Sequence, residues 1–178
     1  KNNFFLILAF LMASVVAVSN YLVQFPIKYM NLQNLFTYGA FTYPVAFLIT
    51  DLANRSYGKI IARKIVYIGF ALGVALTLYF STDFSNLISK RIALGSGIAF
   101  LVAQLIDVQV FDKLRKKVWF VAPLISSFIG SAIDTFLFFS IAFYGTDINW
   151  IKLSMGDLLV KLFVSLVMLL PFRFLLSY

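Results

Sequence analysis

Apolar runs of about 20 residues alternate with short polar stretches along the whole chain. A helix needs about 20 mostly apolar residues to cross the hydrocarbon core of a bilayer. The loops between the runs are too short to hold a soluble domain, so we expect an all-α integral membrane protein whose residues 1–178 form a single bundle. The pattern predicts six helices, from about Phe4 to Val23, Leu35 to Asp51, Ile60 to Phe80, Ile92 to Phe111, Val118 to Tyr144 and Met155 to Leu176.

The composition agrees with a membrane protein. Hydrophobic residues make up 62% of the chain and charged residues 12%, whereas soluble domains average about 45–50% and about 25%. The first apolar run is longer than the core of a signal peptide, so we expect it to remain in the mature protein. The chain starts at Lys1 rather than Met, so we also expect that its N-terminus has been trimmed.

The basic residues predict the orientation of the bundle. Six spans place ten Lys and Arg residues on one side of the membrane and four on the other. By the positive-inside rule, both termini are then cytoplasmic. This clustering accounts for the net charge of +8 without nucleic acid. The richer side would hold Lys1, Arg55, Lys59, Arg63, Lys64, Lys113, Arg115, Lys116, Lys117 and Arg173, and the poorer side Lys28, Lys90, Arg91 and Lys152.

The fifth helix carries the most informative polar residues. Ser127, Ser131 and Asp134 fall at i, i+4 and i+7, so they share one helix face. A carboxylate in the middle of a membrane helix costs at least about 2.5 kcal/mol, so it should face a polar interior. We interpret Asp134 as part of a functional site. The alternative is that Asp134 only joins two helices through hydrogen bonds.

Further polar residues occur in four other predicted helices. Pairs at i, i+4 spacing can form ion pairs on one helix face, so Asp51 could pair with Arg55. Lys161 lies more than a turn inside the apolar run, where it must extend towards the membrane surface, pair with Asp157 or line a polar cavity. We interpret Asp51, Asn54, Arg55 and Asp157 as gating or structural ion-pair residues. The complete set outside the fifth helix is Asn20, Gln24, Asp51, Asn54, Arg55, Gln104, Asp107, Asp157 and Lys161.

Two features bear on helix packing. Gly69 and Gly73 have the small-xxx-small spacing that lets membrane helices approach closely. Pro44 removes a backbone hydrogen bond, which predicts a kink or a break in the second helix.

Several kinds of chemistry are excluded by composition. The chain contains no Cys, His or Glu, which removes thiol nucleophiles, imidazole bases and the usual zinc ligand sets. No glycine-rich phosphate loop occurs either. We therefore predict no catalytic, cofactor or metal site. Carboxylate and amide groups can instead bind hydrogen-bonding edges, because an Asp accepts the two parallel N–H groups of a guanine-like base.

Four segments and an isolated lysine carry a resemblance to a known family. They are Ser19 to Pro26, Thr50 to Gly58, Gln104 to Phe111 and Ser131 to Phe136, in this order, followed by Lys161. Together they resemble the queuosine precursor transporter family, once grouped as putative vitamin uptake transporters. The resemblance covers nearly the whole chain.

The resemblance implies a function as well as a fold. It implies import, across the bacterial inner membrane, of 7-deazaguanine bases such as 7-cyano-7-deazaguanine, 7-aminomethyl-7-deazaguanine or queuine. It also implies a fold similar to the substrate-binding components of energy-coupling-factor importers, but no ATPase partner. The implied substrate-binding residues, to which we add Ser127, are Asp134, Asp107, Gln104, Asn20, Gln24, Asp51 and Lys161.

Two other functions remain open from the sequence. A substrate-binding subunit of an energy-coupling-factor-type vitamin importer would need a docking face of small residues on helix 1, such as Ala9 and Ala13. An intramembrane enzyme would need two carboxylates in contact, whereas Asp134 is predicted at a different depth from Asp51 and Asp107. Proton coupling, the exact base and assembly into a homo-oligomer are left open.

Overall fold

The computed structural model describes residues 2–22, 25, 38–80 and 87–176 of the 178-residue chain. Its described residues form six α-helices and no strand, which confirms the predicted all-α class. The helices are α1 (Asn2–Leu22), α2 (Gly39–Tyr57), α3 (Lys59–Phe80), α4 (Leu87–Leu114), α5 (Val121–Phe143) and α6 (Trp150–Leu176).

Helix α2 differs most from its predicted bounds. It continues beyond Asp51 to Tyr57 and ends at Gly58, whose φ of 82° favours glycine. The polar residues Asp51 and Asn54 do not end the helix, because they are buried against neighbouring helices. The helix also continues through Pro44 without a break. The predicted start at Leu35 lies outside the described residues.

Helix α2 lies at the centre of the bundle. It contacts each of the other five helices, and most of its length is buried. By length and composition, α1, α4, α5 and α6 are apolar enough to cross a membrane. The polar residues of α2 make it less apolar, but its neighbours shield those residues from lipid. The described helices therefore form a multi-pass membrane bundle whose central helix carries polar residues.

Helices α1 and α3 pack with almost no space between their backbones. A Cβ atom added at Gly73 would lie 2.6 Å from Cβ of Val16, and one at Gly69 would lie 2.6 Å from Cβ of Met12. The close packing expected of these glycines is confirmed, and their partner is α1. Since Ala13 contributes backbone atoms to the same contact, this face of α1 is closed.

Two contacts fix the rotation of α5. Gly130 lets the ring of Phe47 in α2 approach, because an added Cβ would lie 2.6 Å from Cε1 of that ring. Arg91 of α4 donates hydrogen bonds to the carbonyls of Ile141, at 3.0 Å, and Tyr144, at 2.7 Å. A cation at these last carbonyls stabilises the helix end. The Ser131 face of α5 consequently points towards α2.

The ends of α2 and α4 are joined by a reciprocal contact. Arg55 donates a hydrogen bond to the carbonyl of Arg115, and Arg115 donates one to the carbonyl of Arg55 at 3.1 Å. Asp112 adds ion pairs to Lys59 at 3.2 Å and to Arg115 at 3.7 Å. The basic segments that the sequence places after α2 and α4 therefore meet at one end of the bundle.

Candidate functional site

Polar side chains from five helices form two groups inside the bundle, and all of them are buried except Asn20, which is partly buried. We call the first the lysine cluster and the second the carboxylate cluster. The lysine cluster contains Asn20, Tyr43, Ser96, Asp134, Thr135, Asp157 and Lys161. The carboxylate cluster contains Thr50, Asp51, Asn54, Gln104, Asp107, Ser126 and Ser127.

The ammonium group of Lys161 is held between two carboxylates. Its Nζ lies 2.8 Å from Oδ2 of Asp134 and 2.5 Å from Oδ2 of Asp157. Lys161 also donates to Oγ1 of Thr135 at 3.1 Å, and Thr135 donates to Asp157 at 2.9 Å. Lys161 is only 2% exposed, and a buried charge is tolerated only when it is paired in this way. One ammonium and two carboxylates give this group a net charge of −1.

The helices explain why these groups meet. Asp157 and Lys161 are one turn apart on α6, so they pair within their own helix. Asp134 and Thr135 lie on the face of α5 that packs against α6. Instead of extending towards a membrane surface, the lysine side chain is directed inward. Its Nζ lies 5.1 Å from the ring centroid of Tyr43, which favours a cation–π interaction.

Tyr43 and Ser96 are site residues that the sequence analysis missed. Their hydroxyl oxygens are 2.5 Å apart, and Oδ1 of Asn20 lies 3.3 Å from the hydroxyl of Tyr43 and 2.5 Å from that of Ser96. The two hydroxyl protons are shared among these three contacts. These bonds tie α1, α2 and α4 together beside the lysine. Periodicity could have identified Tyr43, because Tyr43, Thr50 and Asn54 follow one face of α2.

The carboxylate cluster contains two aspartates that lie close to each other. Oδ1 of Asp51 accepts a hydrogen bond from Ser126 at 3.2 Å, and Oδ2 accepts one from Ser127 at 3.4 Å. Asp107 lies close by on α4, because the hydrogen bonds of Thr50 to Gln104 and of Asn54 to Val108 join α2 and α4 beside both aspartates. Asp107 is completely buried, and neither of its oxygens receives a hydrogen bond from a described residue.

Two hydrogen bonds hold α2 against α4 around these aspartates. Thr50 donates to Oε1 of Gln104 at 2.5 Å, and Nδ2 of Asn54 donates to the carbonyl of Val108 at 2.9 Å. Oδ1 of Asn54 has no donor among the described residues, nor has Oγ of Ser131 on α5. This region is therefore rich in acceptor oxygens that lack donors.

A cleft between α2, α5 and α6 reaches the carboxylate cluster. Its free volume is only about 10 Å³, which is about the space that one water molecule needs. A bound molecule would therefore have to displace neighbouring side chains. Three of the lining residues are polar; the complete set is Pro44, Leu48, Asp51, Pro123, Ser127, Ser165, Met168, Leu169 and Phe172.

One predicted pair is wrong, and one predicted residue is not described. Asp51 and Arg55 do not form an ion pair, because Asp51 accepts hydrogen bonds inside the bundle while Arg55 reaches the carbonyl of Arg115 at the helix end. Arg55 therefore lies outside both clusters. Gln24 lies outside the described residues. Asn20, Asp134, Asp157 and Lys161 meet in one cluster, and Asp51, Asn54, Gln104, Asp107 and Ser127 in the other.

Comparison with known proteins identifies similar chains. The sequence model of the putative vitamin uptake transporter family matches residues 37–176. A "Probable queuosine precursor transporter" of Haemophilus influenzae is 36% identical over 92% of this chain and 82% of its own length. The "Queuosine precursor transporter" of Escherichia coli is 33% identical, covering 88% of this chain and 79% of its own.

A third relative is more distant. A "Probable queuosine precursor transporter" of Bacillus subtilis is 31% identical over 75% of this chain and 68% of its own. No solved structure matches the chain significantly.

Proposed function

Because the chain belongs to the putative vitamin uptake transporter family, we propose that it transports queuosine precursors, which are 7-deazaguanine bases. The names of its relatives support this substrate. The observation that carries the proposal is the pair of polar clusters buried inside an apolar bundle. Ionisable groups at membrane depth are costly, and in membrane proteins they mark substrate and ion pathways.

In this proposal, Asp134 binds the donor edge of the base. The N1–H and the exocyclic amino group of a deazaguanine are two parallel donors, which fit the two oxygens of a carboxylate. Lys161 now occupies one of those oxygens. Since Lys161 also contacts Asp157, the ammonium keeps a partner when Asp134 turns to the substrate. Asp157 thus acts as an ion-pair residue that releases Asp134 without leaving a buried charge unpaired.

The remaining site residues would serve the same path through the bundle. Asn20 belongs to the lysine cluster, while Gln104 and Ser127 belong to the carboxylate cluster. We assign Asp107 and Asp51, in the carboxylate cluster, to a second substrate-binding position along this path. Asn54 would act as a gating contact between α2 and α4. Gln24 belongs to the proposed set by the resemblance alone. Arg55 is proposed as a structural tie at the end of the bundle.

The alternatives have less support. The docking face that a coupled importer subunit would need on α1 is not available, since Ala9 and Ala13 are 5% and 3% exposed. Asp51 and Asp107 do lie close to each other, as an aspartyl enzyme would require. All three relatives, however, are named as transporters. We therefore propose a non-enzymatic, single-domain transporter of the bacterial cytoplasmic membrane, with both termini in the cytoplasm and without an ATPase partner.

Uptake into liposomes tests the function and the role of Asp134 together. Purified protein would be reconstituted, and uptake of labelled 7-cyano-7-deazaguanine and 7-aminomethyl-7-deazaguanine measured with unlabelled guanine as competitor. Asp134→Asn should abolish uptake, because an amide offers one acceptor where the donor edge needs two. Asp147→Asn is the matched control, since Asp147 lies exposed between α5 and α6.

Each outcome separates a different part of the proposal. Uptake by the wild-type protein and by Asp147→Asn, but not by Asp134→Asn, would support both parts. Normal uptake by Asp134→Asn would remove Asp134 from substrate recognition. No uptake of either base by the wild-type protein would contradict the transport function itself. Thermal stability of each variant, measured in parallel, distinguishes loss of function from loss of fold.

A further inference from the structure

The carboxylate cluster holds two acidic groups without a neutralising cation. Asp51 is 2% exposed and Asp107 is fully buried. Hydrogen bonds from Ser126 and Ser127 reach Asp51, but they supply no positive charge. Among the described residues, no Lys or Arg forms an ion pair with either aspartate. Two negative charges side by side in a membrane interior would repel each other strongly.

The charged side chains that the surrounding helices direct into the bundle or to its ends form their contacts with residues other than Asp51 and Asp107. On α2, Arg55 reaches the carbonyl of Arg115, and on α3, Arg63 binds Gln109. On α6, Lys161 lies between Asp134 and Asp157, and Asp134 is the only charged residue of α5. Helix α1 carries no charged residue between Asn2 and Leu22. On α4, Asp112 pairs with Lys59 and Arg115. None of the ion pairs between described residues involves Asp51 or Asp107.

A separate observation shows that a donor is missing. Asn54 is fully buried, and its Nδ2 is bonded to the carbonyl of Val108, next to Asp107 in α4. Its Oδ1 nevertheless has no donor among the described residues, and neither do the two oxygens of Asp107. Buried acceptors are normally satisfied. This part of the bundle therefore contains buried acceptor oxygens to which no described residue donates a hydrogen bond.

We propose that Asp51 and Asp107 form a proton-binding site, in which one proton is shared between the two carboxyl groups and couples substrate transport to the proton gradient. This inference rests on the proposed transport function. The shared proton lowers the charge of the pair from −2 to −1 and supplies a donor. Carboxylates that share a site hold a proton between them for this reason.

The geometry favours a proton over a metal ion. In residues 2–22, 25, 38–80 and 87–176, no group of three or more His, Cys, Asp or Glu residues could hold a metal ion. Asp51 also lines the cleft, which gives the proton a route to and from the pair when substrate enters.

Infrared difference spectroscopy tests the site without measuring transport. The purified protein would be titrated from acidic to alkaline pH, and the C=O stretching band of a buried protonated carboxyl group recorded. The band should be present in the wild-type protein and in Asp112→Asn, whose carboxyl group lies at the end of α4. It should be lost in both Asp107→Asn and Asp51→Asn, because each removes one partner. An unchanged band in both variants would overturn the site.

Coupling is tested with wild-type protein in liposomes. Counterflow of 7-cyano-7-deazaguanine, with no pH gradient, first establishes that the protein transports the base. An inward proton gradient should then drive accumulation above equilibrium, and a protonophore should abolish it. Counterflow without any gradient-driven accumulation, or accumulation driven by a sodium gradient instead, would overturn the coupling while leaving the transport function intact. Absence of counterflow would count against the transport function.

Discussion

Replacing Lys161 by Met separates the charge of this side chain from its packing. Methionine keeps a long, unbranched apolar stem but removes the ammonium group that lies between Asp134 and Asp157. Two buried carboxylates would then remain without a cation. We expect a large loss of stability, because the substitution breaks two buried ion pairs and not merely one surface contact.

The size of the loss follows from the burial of the group. Removing one partner of a buried ion pair costs about 3–5 kcal/mol, since the other charge is left without compensation. Protonation of one stranded carboxyl group limits the cost, so we expect a value near the lower end, about 3 kcal/mol. For a protein of this length, each kcal/mol lowers the Tm by about 2–4 °C. Lys161→Met should therefore lower the Tm by roughly 6–12 °C.

Thermal unfolding of the detergent-purified protein provides the assay. Lys152→Met is the matched control, because Lys152 lies two turns earlier on α6 and is exposed, so its Tm should stay close to that of the wild type. Adding Asp157→Asn to Lys161→Met should restore part of the loss by removing one stranded charge. Equal Tm values for the two lysine variants, or simple additivity of Lys161→Met and Asp157→Asn, would refute the reasoning.

Two further predictions concern packing and hydrogen bonding. Gly73→Ala should destabilise the protein by about 1–3 kcal/mol, because its Cβ would lie 2.6 Å from Cβ of Val16. Gly97→Ala should be nearly neutral, since the nearest atom to its Cβ, in the ring of Phe70, would be 3.6 Å away; a larger effect at Gly97 than at Gly73 would contradict the observed packing. Tyr43→Phe should cost about 0.5–1.5 kcal/mol through loss of the 2.5 Å contact with Ser96, and a chemical denaturation midpoint equal to that of the wild type would count against this hydrogen bond.

Much of the fold could be predicted because apolar runs and membrane thickness constrain it strongly. The six helices follow from run length, and the shared face of Ser127, Ser131 and Asp134 follows from helical period, as all three are buried. The end of α2 could not be predicted in this way. Polar residues after Asp51 suggest a membrane surface, whereas their burial depends on neighbours that periodicity does not identify.

Only part of the site could be predicted from the sequence, for a related reason. Spacing predicts which residues share one helix, so the contact of Asp157 with Lys161 could be expected from i, i+4 proximity. The same rule failed for Arg55, whose long side chain found carbonyl acceptors at the end of α4. Contacts between helices, such as that of Lys161 with Asp134, depend on rotation and depth, which a single sequence leaves undetermined.

The pairing of Asp157 with Lys161 inside one helix also bears on how the chain enters the membrane during synthesis. Each charged residue near the centre of a helix adds about 2.5–3.5 kcal/mol to the cost of insertion. Since the two residues of α6 are one turn apart and 2.5 Å from each other, they can neutralise each other as soon as the helix forms. Helix α6 can therefore leave the translocon with its charges already matched. Asp134 of α5, by contrast, meets its cation only after α6 has been inserted, so the arrival of α6 completes this part of the bundle interior.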